Sequence, residues 1–198
     1  MQSGDGRVVQ FGPLAERADD LEGVDYDYML AEPEPLEWAV EGTFLSETVG
    51  LISGNGGAGK TTLLMQLATC ATLGLPWLGL AVKPAKALML CCEDDRRIVR
   101  LRQRWINRAL GRDMADVLDA GLDVIPRSGM DNRLMTIDRT NWRMVRTPLF
   151  DKLILRCRRT GVQLVIIDTV SRPFGGRNFD ALQVTQFLDA CLRLAEML

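Results

Sequence analysis

Residues 51–68 read LISGNGGAGKTTLLMQLA, and this stretch decides the fold class. Residues 54–61 within it fit the pattern G-x-x-x-x-G-K-[ST], a glycine-rich loop between a strand and a helix. Glycines let backbone N–H groups approach phosphate oxygens without a Cβ clash, and the N-terminus of a helix favours an anion. The flanking residues predict a buried strand over residues 48–53 and a helix over residues 59–73. The stretch therefore predicts a phosphate-binding loop.

The loop also predicts which residues hold a nucleotide and its metal ion. Lys60 would place a compact cation against the β- and γ-phosphates, and the Thr61 hydroxyl would be a ligand for Mg²⁺. The predicted nucleotide-binding residues are Gly54, Asn55, Gly56, Gly57, Ala58, Gly59, Lys60, Thr61 and Thr62. ATP and Mg²⁺ are the expected cofactors. The alternative is a glycine-rich turn that binds no ligand.

Two carboxylates follow apolar runs further along the chain. Asp168 comes directly after residues 162–167, and Glu93 comes directly after residues 86–92. Because parallel strands collect ligands at their carboxyl edge, we expect both side chains to lie near the phosphates. Asp168 is predicted to hold Mg²⁺, directly or through water. The alternative is that Asp168 only caps a turn with Thr169.

Glu93 is predicted to be the catalytic base, beside Lys60 as the second catalytic residue. A glutamate at the end of a parallel strand can orient and deprotonate a water that attacks the γ-phosphate. The competing interpretation makes residues 93–95, Glu-Asp-Asp, the acidic N-cap of the following helix. Both roles are compatible if Asp94 or Asp95 caps the helix and Glu93 catalyses.

Apolar runs alternate with helical patterns over the rest of the chain. We predict strands over residues 86–92, 122–125 and 162–167, helices over 94–110, 147–160 and 180–198, and a small hairpin or edge strand near 133–137. Strands that are apolar throughout and separated by helices indicate a parallel sheet covered on both faces. The predicted fold class is therefore α/β, three-layered, with a mainly parallel sheet of at least four strands.

The composition limits the chemistry that the chain can perform. The 198 residues include no histidine, which excludes Ser-His-Asp and Cys-His nucleophiles, His-liganded zinc and an imidazole base. The five cysteines form no CxxC pair and stand among apolar residues, which favours reduced, buried thiols over metal ligands. No apolar run approaches the ~20 residues that span a bilayer, and no signal peptide is evident at the N-terminus. We expect a cytoplasmic protein without membrane contact.

The charge is divided unevenly along the chain. Residues 1–47 carry 12 acidic and 2 basic side chains, whereas residues 48–198 carry 14 acidic and 22 basic ones. We expect an acidic leader or linker over residues 1–35, either a solvated tail or an arm that docks on a neighbouring copy, followed by one domain over residues 36–198. The basic domain indicates an anionic partner.

Seven arginines and no acidic residue occupy positions 96–112. They are Arg96, Arg97, Arg100, Arg102, Arg104, Arg108 and Arg112. One interpretation is contact with DNA phosphates or with the acidic leader of a neighbour. The preferred interpretation is a solvated helix face, with Ile98, Leu101, Trp105 and Leu110 packing inward. Similarly, Arg172 and Arg177 either contact nucleotide or DNA or form salt bridges within their loop.

Several segments together resemble the RepA-type hexameric helicase ATPases of plasmids and phages, which are AAA-family proteins of the RecA-like branch of P-loop NTPases. The segments are WAVEG at 38–42, the loop at 54–61, EDD at 93–95, DT at 168–169 and FGG at 174–176. The resemblance covers residues 36–198. It implies that Lys60 and Thr61 bind phosphate and Mg²⁺, that Glu93 is the catalytic glutamate, and that Asp168 is the Walker B aspartate. It also implies a hexameric ring with ATP or ADP at the subunit interfaces, moving along single-stranded DNA.

The sequence departs from that family after its last predicted helix. RecA-like domains carry a further strand there, between the strands that precede the glycine-rich loop and Asp168, and this sequence ends before it. The resemblance therefore implies a C-terminally truncated domain. The expected function is Mg²⁺-dependent ATP hydrolysis by a replicative helicase. One alternative is a non-catalytic nucleotide-binding subunit that regulates a full-length ring. A P-loop kinase is disfavoured, because the arginine-rich helix follows the second strand rather than the one that ends at Asp168.

Overall fold

The computed structural model describes residues 23, 25–176 and 180–198. Its helices are α1 Tyr26–Leu30, α2 Lys60–Leu73, α3 Arg96–Leu110, α4 Met114–Asp119, α5 Pro148–Thr160 and α6 Ala181–Ala195. Its strands are β1 Trp38–Val40, β2 Phe44–Leu45, β3 Ala87–Cys91, β4 Asp123–Pro126, β5 Met135–Ile137, β6 Met144–Arg146 and β7 Leu164–Asp168. The chain divides into two units, residues 1–35 and residues 36–198.

The first unit contains the short helix α1. The Asp25 carboxylate caps α1 by accepting a 2.7 Å hydrogen bond from the backbone N–H of Tyr28. No residue of α1 is buried. Its apolar side chains, among them Tyr26 and Met29, are therefore exposed alongside acidic neighbours.

The second unit is built around a parallel sheet in the order β4-β3-β7. The register pairs Cys91 of β3 with Pro126 of β4 and with Asp168 of β7, so the three strands end at the same edge. The strands β1 and β2, and likewise β5 and β6, form separate antiparallel pairs. The α/β class is confirmed. The prediction of at least four parallel strands is wrong, because the described residues form three.

The central strand β3 separates two hydrophobic cores. Leu88 and Leu90 join a core that includes residues of α5, α6 and the β5–β6 hairpin. Ala87, Met89 and Cys91 join a core that includes residues of α2, α3 and α4. Since successive side chains of a strand point to opposite faces, this alternation places helices on both sides of the sheet. The three-layer arrangement is therefore confirmed.

Helix ends follow the local signals of the sequence closely. Glycines in the left-handed conformation end α2, α3 and α5, at Gly74, Gly111 and Gly161. The helix α5 begins as predicted, with Thr147 as N-cap and Pro148 in its first turn. The Thr147 hydroxyl accepts no capping hydrogen bond from α5; it lies against the carbonyl oxygens of Arg133 and Leu134, to which it donates.

The predicted buried strand over residues 48–53 is wrong. These residues form no strand, and Leu51 is 67% exposed. A cavity of about 520 Å³ is lined by residues 50–54 and also by residues of β7. Apolar residues make a strand only where a neighbour accepts and donates the backbone hydrogen bonds, and within the described residues β7 pairs with β3 alone.

The inward packing predicted for Ile98, Leu101 and Trp105 of α3 is also wrong. These side chains are 39%, 43% and 62% exposed, whereas Leu110 is partly buried as predicted. The buried residues of α3 are Val99, Gln103, Ile106 and Asn107.

A buried polar contact explains this rotation of α3. The Gln103 side-chain amide donates to the Thr69 hydroxyl of α2 at 2.9 Å and to the Asn107 side-chain oxygen at 2.8 Å. Because buried polar groups need partners, these hydrogen bonds hold Gln103 and Asn107 inward. The apolar stripe formed by Ile98, Leu101 and Trp105 is thereby turned towards solvent.

The cysteines are free thiols, as predicted, and four of the five are buried. Burial raises the pKa of the Cys91 thiol to about 12, with a further contribution from the neighbouring Asp168 carboxylate. None of the helices within the described residues is long and apolar enough to cross a membrane.

Candidate nucleotide site

The glycine-rich loop is open on its exposed side. Gly57 and Gly59 have φ angles of +79° and +84°, which residues other than glycine rarely adopt. A Cβ atom added at Gly56, Gly57 or Gly59 would meet nothing within 4 Å. Residues 54–59 are all exposed, and Gly59 gives α2 no side-chain cap. The first N–H groups of α2 are therefore left without a side-chain acceptor, as an anion site requires.

Lys60 lies folded against the loop that precedes it. Its Nζ donates to the carbonyl oxygens of Gly54 and Asn55, at 2.7 and 2.8 Å. The ammonium group is thus held where the loop meets the first turn of α2. In this position a positive charge lies beside the helix N-terminus, and both features attract a phosphate.

The two threonines after Lys60 have different surroundings. Thr61 is half-buried, and its hydroxyl has no hydrogen-bond partner within the described part of the chain. The Thr62 hydroxyl accepts a 2.8 Å hydrogen bond from Nη1 of Arg102. Thr61 is therefore the hydroxyl available to a metal ion, whereas Thr62 links α2 to α3.

Asp168 lies at the carboxyl end of β7 and is 8% exposed. Its backbone carbonyl accepts a 2.6 Å hydrogen bond from the N–H of Cys92, which fixes the ends of β3 and β7 side by side. Among the described residues its carboxylate has no salt-bridge partner. Asp168 lines the same cavity of about 520 Å³ as Gly54 and Lys60.

This cavity is only partly polar. Leu64, Val165 and Ile167 contribute apolar walls, continuous with the core on either side of the sheet. The groups that suit phosphate and metal are Lys60, which directly follows the open loop of residues 54–59, and Asp168. The structure thus brings together three of the predicted site residues, Gly54, Lys60 and Asp168.

Glu93 lines a different cavity, of about 600 Å³, together with Cys92, Ser128, Asn132 and Arg172. It is exposed and stands two residues beyond the end of β3, the strand that pairs with β7. Glu93 and Asp168 therefore belong to the same sheet edge but line neighbouring cavities rather than one. Arg177, the other arginine predicted near this edge, lies outside the described residues.

Asn132 supports the turn that carries Glu93, and sequence reasoning missed it. It is 5% exposed, and its amide donates to the carbonyl oxygens of Cys92 and Arg127, at 3.3 and 3.0 Å. Its side-chain oxygen accepts from Nε of Arg127 at 2.8 Å. In the sequence, Asn132 lies in a polar loop without periodicity, about 40 residues after the end of a buried strand. This is the only signal, and it does not indicate a contact between the two.

The two acidic residues after Glu93, Asp94 and Asp95, make different contacts. Asp95 is the N-cap of α3 and accepts hydrogen bonds from the N–H groups of Arg97 and Ile98, at 2.8 and 3.0 Å. The N–H of Ile98, and then that of Arg97, hold the pKa of the Asp95 carboxyl below its usual value. The predicted acidic cap is therefore confirmed at Asp95, which leaves Glu93 outside the capping contacts.

Arg102 joins the two halves of the candidate site. Its Nε lies 3.0 Å from the Asp94 carboxylate, a charge contact without hydrogen-bond geometry. Its Nη1 contacts Thr62 in the first turn of α2. Arg102 thus connects the helix that follows the glycine-rich loop with the turn that contains Glu93. No pattern in the sequence distinguishes this arginine from the other arginines of α3.

The family model of the AAA domain matches residues 15–198. The chain belongs to this family. The match includes the glycine-rich loop, Glu93 and Asp168, and it supports ATP binding and nucleoside triphosphate hydrolysis by this AAA domain. No curated protein matches the chain.

The residues of this AAA domain fit a nucleotide-bound Mg²⁺ ion. The Thr61 hydroxyl and the Asp168 carboxylate are hard oxygen donors, which Mg²⁺ prefers. Within the described ranges no group of three or more His, Cys, Asp or Glu side chains could hold a metal ion by itself. Mg²⁺ in nucleotide sites takes most of its ligands from phosphates and water, so one carboxylate and one hydroxyl suffice.

Proposed function

We propose that this AAA domain is the Mg²⁺-dependent ATPase of a RepA-type replicative helicase that acts on DNA. The observation that carries the proposal is the cavity that Lys60 and Asp168 both line, beside the uncapped start of α2. In this proposal residues 1–35 are a leader, residues 36–198 are the ATPase domain, and the working form is a homo-oligomeric ring. The five free thiols favour a reducing compartment such as the cytoplasm.

The chain's own residues divide the work of hydrolysis. The N–H groups of residues 54–59 and the Lys60 ammonium bind the phosphates and counter the charge that develops on them. Thr61 and Asp168 would hold Mg²⁺, which supplies further positive charge at the phosphates. Glu93 orients the attacking water and accepts its proton. Asp95 and Arg102 keep Glu93 free for this role, because one caps α3 and the other holds Asp94.

The test measures equilibrium binding of ATP and ADP with Mg²⁺, and phosphate release, on the 198-residue chain. Lys60→Ala should abolish measurable ATP binding. Lys152→Ala, which removes an exposed lysine of α5, should bind ATP as the wild type does. Glu93→Gln should keep ATP binding and lose about 10²- to 10⁴-fold in hydrolysis rate, the usual contribution of a general base. Equal binding by the two lysine variants would sink the proposal.

A second candidate is a nucleotide-binding subunit without hydrolysis. It is favoured by one observation, that Glu93 lines a different cavity from Lys60 and Asp168. In that case ATP binding would still depend on Lys60, whereas Glu93→Gln would change neither binding nor the background phosphate release. Mixing the chain with an intact relative and measuring co-assembly would then show its regulatory role.

A further inference from the structure

The outward side of α3 combines unpaired positive charge with exposed apolar surface. Five of its arginines are exposed, and none forms a salt bridge with a described residue: Arg96, Arg97, Arg100, Arg104 and Arg108. Trp105 is 62% exposed on the same helix, and Ile98 and Leu101 are about two-fifths exposed. We refer to the exposed residues of α3 as the α3 face.

Helical geometry arranges the α3 face in two adjoining strips. At 3.6 residues per turn, Arg97, Arg104 and Arg108 fall on one strip, and Ile98 and Trp105, seven residues apart, fall on the next. The buried Val99 and Ile106 lie on the opposite side. Arg97 and Arg108 are about 16 Å apart along the helix axis, at ~1.5 Å per residue. The face is therefore a row of cations beside a row of apolar side chains.

This pattern matches a polymer that alternates an anionic group with a flat ring. Guanidinium groups pair with phosphates, and exposed aromatic side chains stack on bases, which is how proteins bind single strands without reading their sequence. Water can hydrogen-bond to the arginines equally well, but exposing the tryptophan beside them to water is unfavourable. An acidic peptide without aromatic side chains, such as poly-glutamate, would pair with the arginines and leave the ring face of Trp105 without a stacking partner.

We propose that the α3 face binds single-stranded nucleic acid, with phosphates on Arg97, Arg104 and Arg108 and a base stacked on Trp105. The choice of DNA as the polymer rests on the proposed function. Arg102 lies on the other side of the apolar strip from these arginines, and its contacts reach Thr62 and Asp94. A strand bound on the α3 face therefore lies one helix away from the nucleotide site.

The test is fluorescence anisotropy with a labelled 20-nucleotide oligo-dT and, separately, a labelled poly-glutamate peptide. The triple variant Arg97→Gln, Arg104→Gln, Arg108→Gln should bind the oligonucleotide at least tenfold more weakly. Its plot of log affinity against log salt should be shallower by about 2, since each single-strand phosphate contact contributes about 0.7. Trp105→Ala should weaken binding on the order of tenfold without changing that slope.

A matched control removes three charges elsewhere. Arg139, Arg143 and Arg159 are exposed and form no salt bridge with a described residue, so changing all three to Gln should alter oligonucleotide binding less than twofold. If both triple variants weakened oligonucleotide binding equally, the effect would depend only on the net charge of the protein. That result would overturn the proposal. Poly-glutamate binding that depends on the α3 face, without oligonucleotide binding, would also overturn it and assign the face to an acidic protein.

ATP binding measured on the same variants separates this proposal from the proposed function. The α3 face variants should bind ATP as the wild type does, and Lys60→Ala should keep its oligonucleotide affinity. If the wild type bound oligo-dT through the α3 face but bound no ATP, the proposed function would fail and the α3 face would stand.

Discussion

The helices α2 and α3 flank the candidate site and begin in opposite ways. The N-cap of α2 is Gly59, at φ +84°, and it offers no side-chain acceptor. The N-cap of α3 is Asp95, whose carboxylate already accepts two backbone N–H groups. Because the first N–H groups carry the positive end of the helix dipole, α2 leaves that charge to a ligand and α3 neutralises its own. Of these two helices, α2 therefore has the N-terminus that suits a phosphate.

The two helices also differ in what they show to solvent. Six of the seven residues from Met65 to Ala71 in α2 are buried and belong to the core. The helix α3 buries four side chains and presents the α3 face outward. Arg102 and Gln103 of α3 both contact α2, at Thr62 and Thr69, and only Arg102 also reaches Asp94 beside Glu93. Substitutions at Arg102, Gly59 and Asp95 test this difference between α2 and α3.

The largest effect is expected from Arg102→Met. The change removes the hydrogen bond to Thr62 and leaves the partly buried Asp94 carboxylate without its cation. The free energy of unfolding in urea should fall by about 1.5–3 kcal/mol, as for other lost hydrogen bonds to charged groups. Arg108→Met, on the exposed side of the same helix, should stay within about 0.5 kcal/mol. Equal losses in the free energy of unfolding for the two variants would show that the contacts of Arg102 with Thr62 and Asp94 do not stabilise the fold.

A smaller effect is expected from Gly59→Ala, which disturbs the open start of α2. A Cβ there would meet nothing within 4 Å, so the cost comes from the backbone, whose left-handed conformation disfavours alanine by about 1–2 kcal/mol. If the loop relaxes to avoid this strain, ATP affinity should fall about tenfold by equilibrium titration. Gly111→Ala carries similar strain at φ +63° and nothing within 4 Å, but lies at the far end of α3. It should leave ATP affinity unchanged; a matching loss there would contradict the role of Gly59.

The smallest effect concerns the capped start of α3 and its dependence on pH. The N–H groups of Ile98 and Arg97 hold the pKa of Asp95 below 3.8, so its charge stabilises the fold above that pH. This contribution is lost as the pH falls through the lowered pKa of the folded state. The wild type should therefore have a higher melting temperature than Asp95→Asn at a pH of about 5. The difference between the two melting temperatures should shrink as the pH falls to about 2. A difference that stays constant over this range would contradict the prediction.

Much of the local structure could be predicted because its signals are local. Glycines that end helices, apolar runs that form β3 and β7, and the proline that begins α5 act through a few neighbouring residues. The same holds for the loop around Lys60, whose glycine conformations follow from the absence of a Cβ. The placement of Asp168 at the sheet edge followed from the parallel topology that these elements imply.

The predictions that failed depended on distant partners. Residues 48–53 are apolar enough for a strand, but a strand also needs a neighbour, and β7 pairs only with β3 within the described chain. The direction that Trp105 points was set by the contact between Gln103 and Thr69, 34 residues apart in the sequence. No periodicity within α3 contains that information.

The sequence by itself therefore determined the α/β class, the glycine-rich loop before α2 and the two carboxylates that follow apolar runs. It did so because backbone conformation and strand burial depend on adjacent residues. The tertiary structure alone decided that Arg102 joins Thr62 to Asp94 and that α3 presents a tryptophan and five arginines to solvent. These features depend on how α2 and α3 pack, and a buried polar group takes whichever partner the packing brings within reach.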